Sequence, residues 1–289
     1  MSLLKDDKSE KVQYDRPDYP IYIRRFLLSS YPNHAAPSHW HDDIEFILVL
    51  SGEMQYNING EIVVLRENEG VLVNTRQMHF GFSDLKKECE FLCVILHPML
   101  LCATPAYEHD FVSPLIHNAS LPYVHLRPAV PWQRDLCTQI KQVYAIKEEN
   151  AAQMKIQAAF IKIWVLLYEN APLTNGGKKR QNADLAIVKN MVGFIQKNYK
   201  KRVSLADIAA AGAVGQSKCC KLFAKYLGQT PNQNLTQYRI NKSMELLKTS
   251  DLSIIEIAGE VGFAGTSYYA EIFRKWTGKS PTEYRNGFL

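Results

Sequence analysis

A chain of 289 residues is long enough for two domains that each bury a core of their own. Its 46% apolar and 22% charged content is ordinary for a globular protein in water, and no apolar run reaches the roughly 18–20 residues that span a bilayer. The net charge of +5 is uneven: Asp184 to Leu289 holds fifteen Lys or Arg against eight Asp or Glu, a net +7, while the remainder carries −2. A basic C-terminal third on a mildly acidic body predicts that one end meets phosphates and the other does not.

The N-terminus, Met1 to Lys11, is charged and has no apolar signal core, so export is not expected and the cytoplasm is. Six cysteines without a CxxC pair or zinc-finger spacing fit reduced thiols. From Ile21 to about Val94 the chain reads as short strands and turns. Phe46 to Leu50 is an apolar run closed by Ser51 and Gly52, Met54 to Ile58 alternates, and Asn57 to Gly60 turns into Ile62 to Leu65. Gly70 then precedes Val71 to Val73. Strands at this spacing predict a sandwich or a small barrel.

All eight histidines precede residue 126. His39, His41 and Glu45 share odd parity, so an extended strand points all three to one face, and His79 follows on a later strand. The spacing HxH-x3-E-x6-G, ending at Gly52, resembles the first motif of the cupin superfamily. Gly70 to His79 resembles a degraded second motif, with Thr75 where proline is common. Three readings of His39, His41, Glu45 and His79 stand side by side: a divalent transition metal site, direct contacts to a small effector, or internal hydrogen bonding. Arg24, Tyr56 and Arg76 are the expected pocket neighbours.

After Pro131 the apolar period changes to three and four, through Trp132, Leu136, Ile140 and Val143, then Ile161, Trp164, Val165 and Tyr168. This predicts a helical hairpin broken near Glu149 and Asn150. Its apolar surface serves either a dimer seam, with Trp132, Leu136, Trp164 and Tyr168 foremost, or packing on the barrel. Pro172 to Asn182, with Gly176, Gly177 and Lys178 to Arg180, reads as a linker.

Beyond the linker the chain nearly repeats itself at an offset of 49 to 50 residues, with one extra residue in the second copy's turn. Val203 to Ala209 matches Leu252 to Ala258, and Lys221 to Pro231 matches Glu271 to Pro281. Each copy opens on a capping box, Ser204 with Asp207 and Ser253 with Glu256, and continues through small residues into a tight turn at Ala213 or Gly262. A capped helix, a tight turn and a second helix, twice over in a basic segment, predict two helix-turn-helix units. On the first recognition helix Gln216, Ser217, Lys218, Cys220 and Lys221 face away from the core. On the second, Gly265, Thr266, Ser267, Tyr268, Ala270 and Glu271 do so. Gln suits adenine, Lys guanine and Glu the cytosine amino group, while Lys225, Arg239, Arg274 and Lys275 are placed for phosphates.

This segment resembles the AraC (arabinose-regulator) family of transcription regulators. Val261 to Phe263, Ser267 to Phe273 and Gly278 to Arg285 follow the family signature, as do Thr230-Pro231, Arg239-Ile240 and Leu246-Leu247. The resemblance implies a rigid helix joining two helix-turn-helix units that enter successive major grooves of double-stranded DNA. It also implies RNA polymerase as a partner, with a lean towards activation. Three positions depart from the pattern: Ala213 stands where glycine is usual, and Gly215 and Ala264 where a capping serine is usual.

The expected architecture is therefore α+β. A cupin-like β-barrel senses an effector over 1–128, a helical hairpin over 129–171 dimerises, 172–183 is the linker, and an all-α double helix-turn-helix domain over 184–289 binds DNA. The expected function is a non-enzymatic, sequence-specific regulator, controlled by a sugar or related metabolite. The alternative is a metal-dependent cupin enzyme fused to a DNA-binding domain. A DNA-repair methyltransferase would need cysteine-rich zinc and acceptor motifs that the sequence lacks.

Overall fold

The structure, a computed structural model, describes residues 3–4, 9–16, 18–171 and 183–287. The expected linker, 172–183, lies outside the described residues except for Ala183. The chain divides into two compact units, Ser2–Gln181 and Asn182–Leu289 with Met1.

The first unit begins with a two-residue ribbon, β1 (Leu3–Leu4) against β2 (Glu10–Lys11), followed by β3 (Ile21–Leu27) and the long β4 (Ile44–Ile58). Then come β5 (Glu61–Arg66), β6 (Gly70–Val73), β7 (His79–Phe82), β8 (Cys89–Leu96) and β9 (Tyr123–Leu126). The main sheet runs β3-β8-β4-β6-β9, while β5 and β7 pair with the far half of β4. One strand serves both layers because it bends. The β4–β8 register shifts between Val49 and Ser51, and Gly52 follows at φ 79°. A side chain at Gly52 would place its Cβ 2.4 Å from the carbonyl oxygen of Glu88, so this bend requires glycine.

The period-two pattern of β4 builds two cores at once. Ile44, Phe46 and Leu48 face a helical layer, while Ile47 and Val49 face the interior between the sheets with Tyr56, Val71 and Cys93. Glu45 shares the parity of the interior set. The helical layer is α3 (Pro131–Ile146) and α4 (Ala152–Asn170), preceded by the short α1 (Pro105–Tyr107), a π-helical turn (Glu108–Val112) and α2 (Ser113–Ile116). The hairpin breaks at 147–151, where Ala151 takes φ 56°. Leu136 and Trp164 are 0% and 4% exposed and share a core with Phe46, Val94 and Leu96. Of the two uses considered for the hairpin's apolar face, these residues serve packing on the sheet. They are unavailable to a seam between copies, because burying each contributes about 1.5–3 kcal/mol to the unit itself.

The second unit is all helix: α5 (Ala183–Asn198), α6 (Leu205–Ala211), α7 (Gln216–Leu227), α8 (Pro231–Thr249), α9 (Ile254–Glu260), α10 (Thr266–Thr277) and α11 (Pro281–Asn286). Both predicted capping boxes form, and Thr230 with Gln233 and Ser280 with Glu283 add two more. The recognition helices α7 and α10 lack such caps and start on Gly215 and Gly265. The second cap is thus Gly265 rather than Ala264, because the extra residue in that turn moves the helix start by one. Ala213, at φ 52°, occupies the left-handed position that Gly262 fills in the second copy at φ 87°.

Candidate functional site

The two units present two separate sites. In the first, Glu45 projects inward from β4, and a bridge pairs His39 with His79 through backbone bonds of 2.9 and 3.1 Å. His41 lies on the short link between His39 and β4. These three elements bring four side chains together. Oε2 of Glu45 lies 3.1 Å from Nε2 of His41, 3.2 Å from that of His79 and 3.8 Å from that of His39. One ligating atom from each residue falls within 4.8 Å of every other. The Tyr56 hydroxyl donates to Oε1 of Glu45 at 2.7 Å. His41, Glu45 and His79 are buried, and His39 is half-buried.

The histidines' far nitrogens matter as much as the near ones. Nδ1 of His39 meets the carbonyl oxygen of Pro37 at 2.9 Å, that of His41 meets Asp43 at 3.1 Å, and that of His79 meets Gln77 at 2.9 Å. A carbonyl only accepts, so each Nδ1 carries a hydrogen, and a neutral ring then has only a lone pair on Nε2. All three Nε2 atoms converge on a carboxylate oxygen, itself an acceptor. Burial depresses the pKa of His79, favouring its neutral form and leaving two acceptors face to face. Burial opposes charge on His39 too, but Glu10, 3.7 Å away, and Glu45 outweigh it and raise its pKa to about 9. Burial would raise the Glu45 carboxyl, yet the histidines around it hold it well below the usual carboxylate range.

The side chains of the two arginines expected beside this cluster pair with carboxylates outside it. Arg24 pairs with Asp15 at 2.5 Å and lies over the ring of Tyr22. Arg76 pairs with Asp42 at 2.8 Å at the surface. Both carry carboxylates of their own nearby, which sequence spacing does not reveal. Sequence reasoning also missed Glu10, Tyr14 and Asp43. The hydroxyl of Tyr14 donates to Asp43, a buried carboxylate behind His41. Glu10 sits in the two-residue β2, Tyr14 in a loop and Asp43 at the bend before β4, and none carries a periodic signal.

The second site is the pair of recognition helices. On α7, Gln216, Ser217, Lys218, Lys221 and Lys225 are exposed, while Cys219, Leu222 and Phe223 are buried. On α10, Ser267, Tyr268, Glu271, Arg274 and Lys275 are exposed and Thr266 is half-buried, over the buried Tyr269 and Phe273. Gly265 is exposed at the helix start. Lys218 is held by Asp184 at 3.1 Å and Arg274 approaches Glu283 at 3.7 Å, both in solvent, where such pairs exchange readily for phosphates. Arg239 differs from expectation. Its guanidinium turns inward and donates to the carbonyl oxygens of Tyr199 and Lys201, both at 2.8 Å. Two of its five donors are thus committed to carbonyls of the unit itself.

Residues 25–163 match the family described as AraC-like ligand binding domain, and residues 208–287 a helix-turn-helix domain. A protein similar along nearly the whole length is the HTH-type transcriptional regulator YdeC of Bacillus subtilis, 26% identical over 280 residues, covering 96% of this chain and 95% of that one. The melibiose operon regulatory protein of Escherichia coli is 24% identical over 272 residues, covering 92% and 89%. Among solved structures, ToxT of Vibrio cholerae is 15% identical and covers 93% of this chain and 98% of its own, with a TM-score of 0.44. A ligand-binding domain with a buried polar cluster, joined to paired helix-turn-helix units with exposed polar faces, defines a DNA-binding regulator of transcription. The chain belongs to the AraC family of such regulators.

Proposed function

We propose that the chain is a cytoplasmic, non-enzymatic activator that works as a homodimer with RNA polymerase, and that the cluster in its first unit anchors a small, oxygen-rich effector of the sugar class through a divalent transition metal. The observation that carries this reading is the trio of carbonyl-bound Nδ1 atoms, which turns three Nε2 atoms onto one carboxylate. Three imidazoles and a carboxylate are a donor set suited to zinc, iron, nickel or copper, and backbone carbonyls on the outer nitrogens orient the ligands. When bound, such an ion supplies a Lewis-acid position for an effector hydroxyl or carboxylate. The protein's own groups exclude water, orient the rings and, through the Tyr56 hydroxyl, donate a hydrogen bond to Oε1 of the Glu45 carboxylate. The similarity to a melibiose operon regulator supports the sugar class.

With Leu136 and Trp164 committed to the sheet, we assign the dimer seam to the outward face of α4. Met154, Ala158, Ile161 and Val165 follow one another at spacings of four, three and four, as in a coiled-coil seam. Met154 and Val165 are 76% and 44% exposed.

The test uses the full chain, stripped with chelator and titrated calorimetrically with zinc or nickel ions, then screened with sugars by thermal shift. Stoichiometric binding that Glu45→Gln abolishes, with further stabilisation by one sugar, supports the reading. No uptake of any divalent ion removes the metal and leaves direct effector contacts. Turnover of a sugar by the loaded protein would make it an enzyme instead.

A further inference from the structure

The two recognition helices belong to different halves of the second unit, and their common mounting is α8. A single helix packed into both bodies sets the distance between them. A second contact off its axis further constrains how far one recognition helix is turned from the other. Among the described residues such a contact is present. The segment just after α5, Tyr199 to Lys201, lies against the turn of the second helix-turn-helix at Gly262.

Four observations meet at this junction. Tyr199 packs with the second half's core of Ile257, Phe263 and Phe273, although it follows a helix of the first half. Gly262 lies so close that an added Cβ would be 2.4 Å from the carbonyl oxygen of Tyr199 and 2.9 Å from that of Lys200. Lys200 reaches Glu260 at 2.9 Å. Arg239, on α8, donates to the carbonyl oxygens of Tyr199 and Lys201 at 2.8 Å, and its guanidinium lies 5.8 Å from the centre of the Phe263 ring. One planar, fixed-fork cation therefore satisfies carbonyls beyond the C-terminal end of α5 while resting on the opposite turn.

We infer that Arg239 is a positioning residue that fixes the spacing at which α7 and α10 read DNA. It acts through the Tyr199–Lys201 carbonyls and the Gly262 turn, and it contacts neither bases nor phosphates. The inference rests on the DNA-binding role of the second unit and adds to it a determinant of half-site spacing. Lysine carries the same charge but presents a point donor in place of a fork, so the two side chains are not equivalent here.

The test is selection from a randomised duplex library by the full-length wild type, Arg239→Met and Arg239→Lys. The distance between the two enriched half-site motifs is read from each selected pool, and affinity for the wild-type-selected duplex is followed against salt. The wild type is expected to concentrate on one spacing. Arg239→Met is expected to lose about tenfold of its preference over spacings one base pair longer or shorter, with base preferences in each half unchanged. Its salt slope is expected to match the wild type, whereas loss of a phosphate contact lowers that slope by about 0.9. Arg239→Lys is expected to loosen spacing less, and it decides the question alone if Arg239→Met does not fold. An unchanged spacing profile in the folded variants, or a slope reduced by about one, overturns the inference. Loss of all DNA binding in the second unit would instead strike at the DNA-binding role beneath it.

Discussion

The turn at Gly262 allows a prediction whose size follows from coordinates. In Gly262→Ala, the left-handed backbone at φ 87° costs about 1–2 kcal/mol for a residue with a Cβ. The new methyl group would also sit 2.4 Å from the carbonyl oxygen of Tyr199 and 3.0 Å from Nη2 of Arg239. That carbonyl is itself held by Arg239, so relief requires moving the whole junction, an overpacking cost of about 1–3 kcal/mol. Against this, alanine narrows the unfolded ensemble and returns roughly 0.4–1 kcal/mol. The net expectation is a loss of about 2–4 kcal/mol in the second unit, equivalent to a melting temperature lower by about 10–25 °C for a domain of its size. The reciprocal change, Ala213→Gly in the first turn at φ 52°, removes the same backbone strain and is expected to stabilise by about 0.5 kcal/mol after the entropy penalty. Calorimetric melting of the full chain, with the two units resolved, measures both. A Gly262→Ala protein that melts within a degree or two of the wild type would show that the junction yields, and would refute the argument from close approach.

Three further outcomes are expected. Glu45→Gln removes the carboxylate from the histidine cluster and should weaken divalent-ion binding by about 100-fold or more, read by calorimetric titration; unchanged affinity would exclude Glu45 as a ligand. Val165→Glu on the outward face of α4 should leave melting unchanged and shift the sedimenting species from dimer to monomer, and a dimer that persists places the interface elsewhere. Lys218→Ala should weaken one half-site, by about 1–3 kcal/mol at a single base if it reads a guanine edge, and Glu271→Ala should relax base preference in the other half. Library selection in which neither variant alters the preferred sequence would show that these two side chains do not read bases.

The site in the first unit was half legible. Odd parity grouped His39, His41 and Glu45 on the premise of one extended strand, whereas β4 begins at Ile44 and the irregular path of 40–43 brings the two histidines onto Glu45. The partners of Arg24 and Arg76, Asp15 and Asp42, were not legible because they are set by loop paths rather than by period. The helical hairpin shows the same limit. Three-and-four spacing established that it had an apolar face, and only packing showed that Leu136 and Trp164 spend theirs on the sheet.

The sequence by itself determined the two helix-turn-helix units, their capping boxes and the outward residues of α7 and α10. These rest on local signals: a hydroxyl three residues before a carboxylate, a left-handed turn, an apolar stripe at helical spacing. The tertiary structure alone decided what meets at long range. It showed that Arg239 donates to the carbonyls of Tyr199 and Lys201, that Glu10 reaches His39, and that the carbonyls of Tyr199 and Lys200 lie against Gly262 where a side chain would stand. Each of these depends on backbone groups far apart in the chain, and a donor's choice among distant carbonyls leaves no periodic trace in the residues between them.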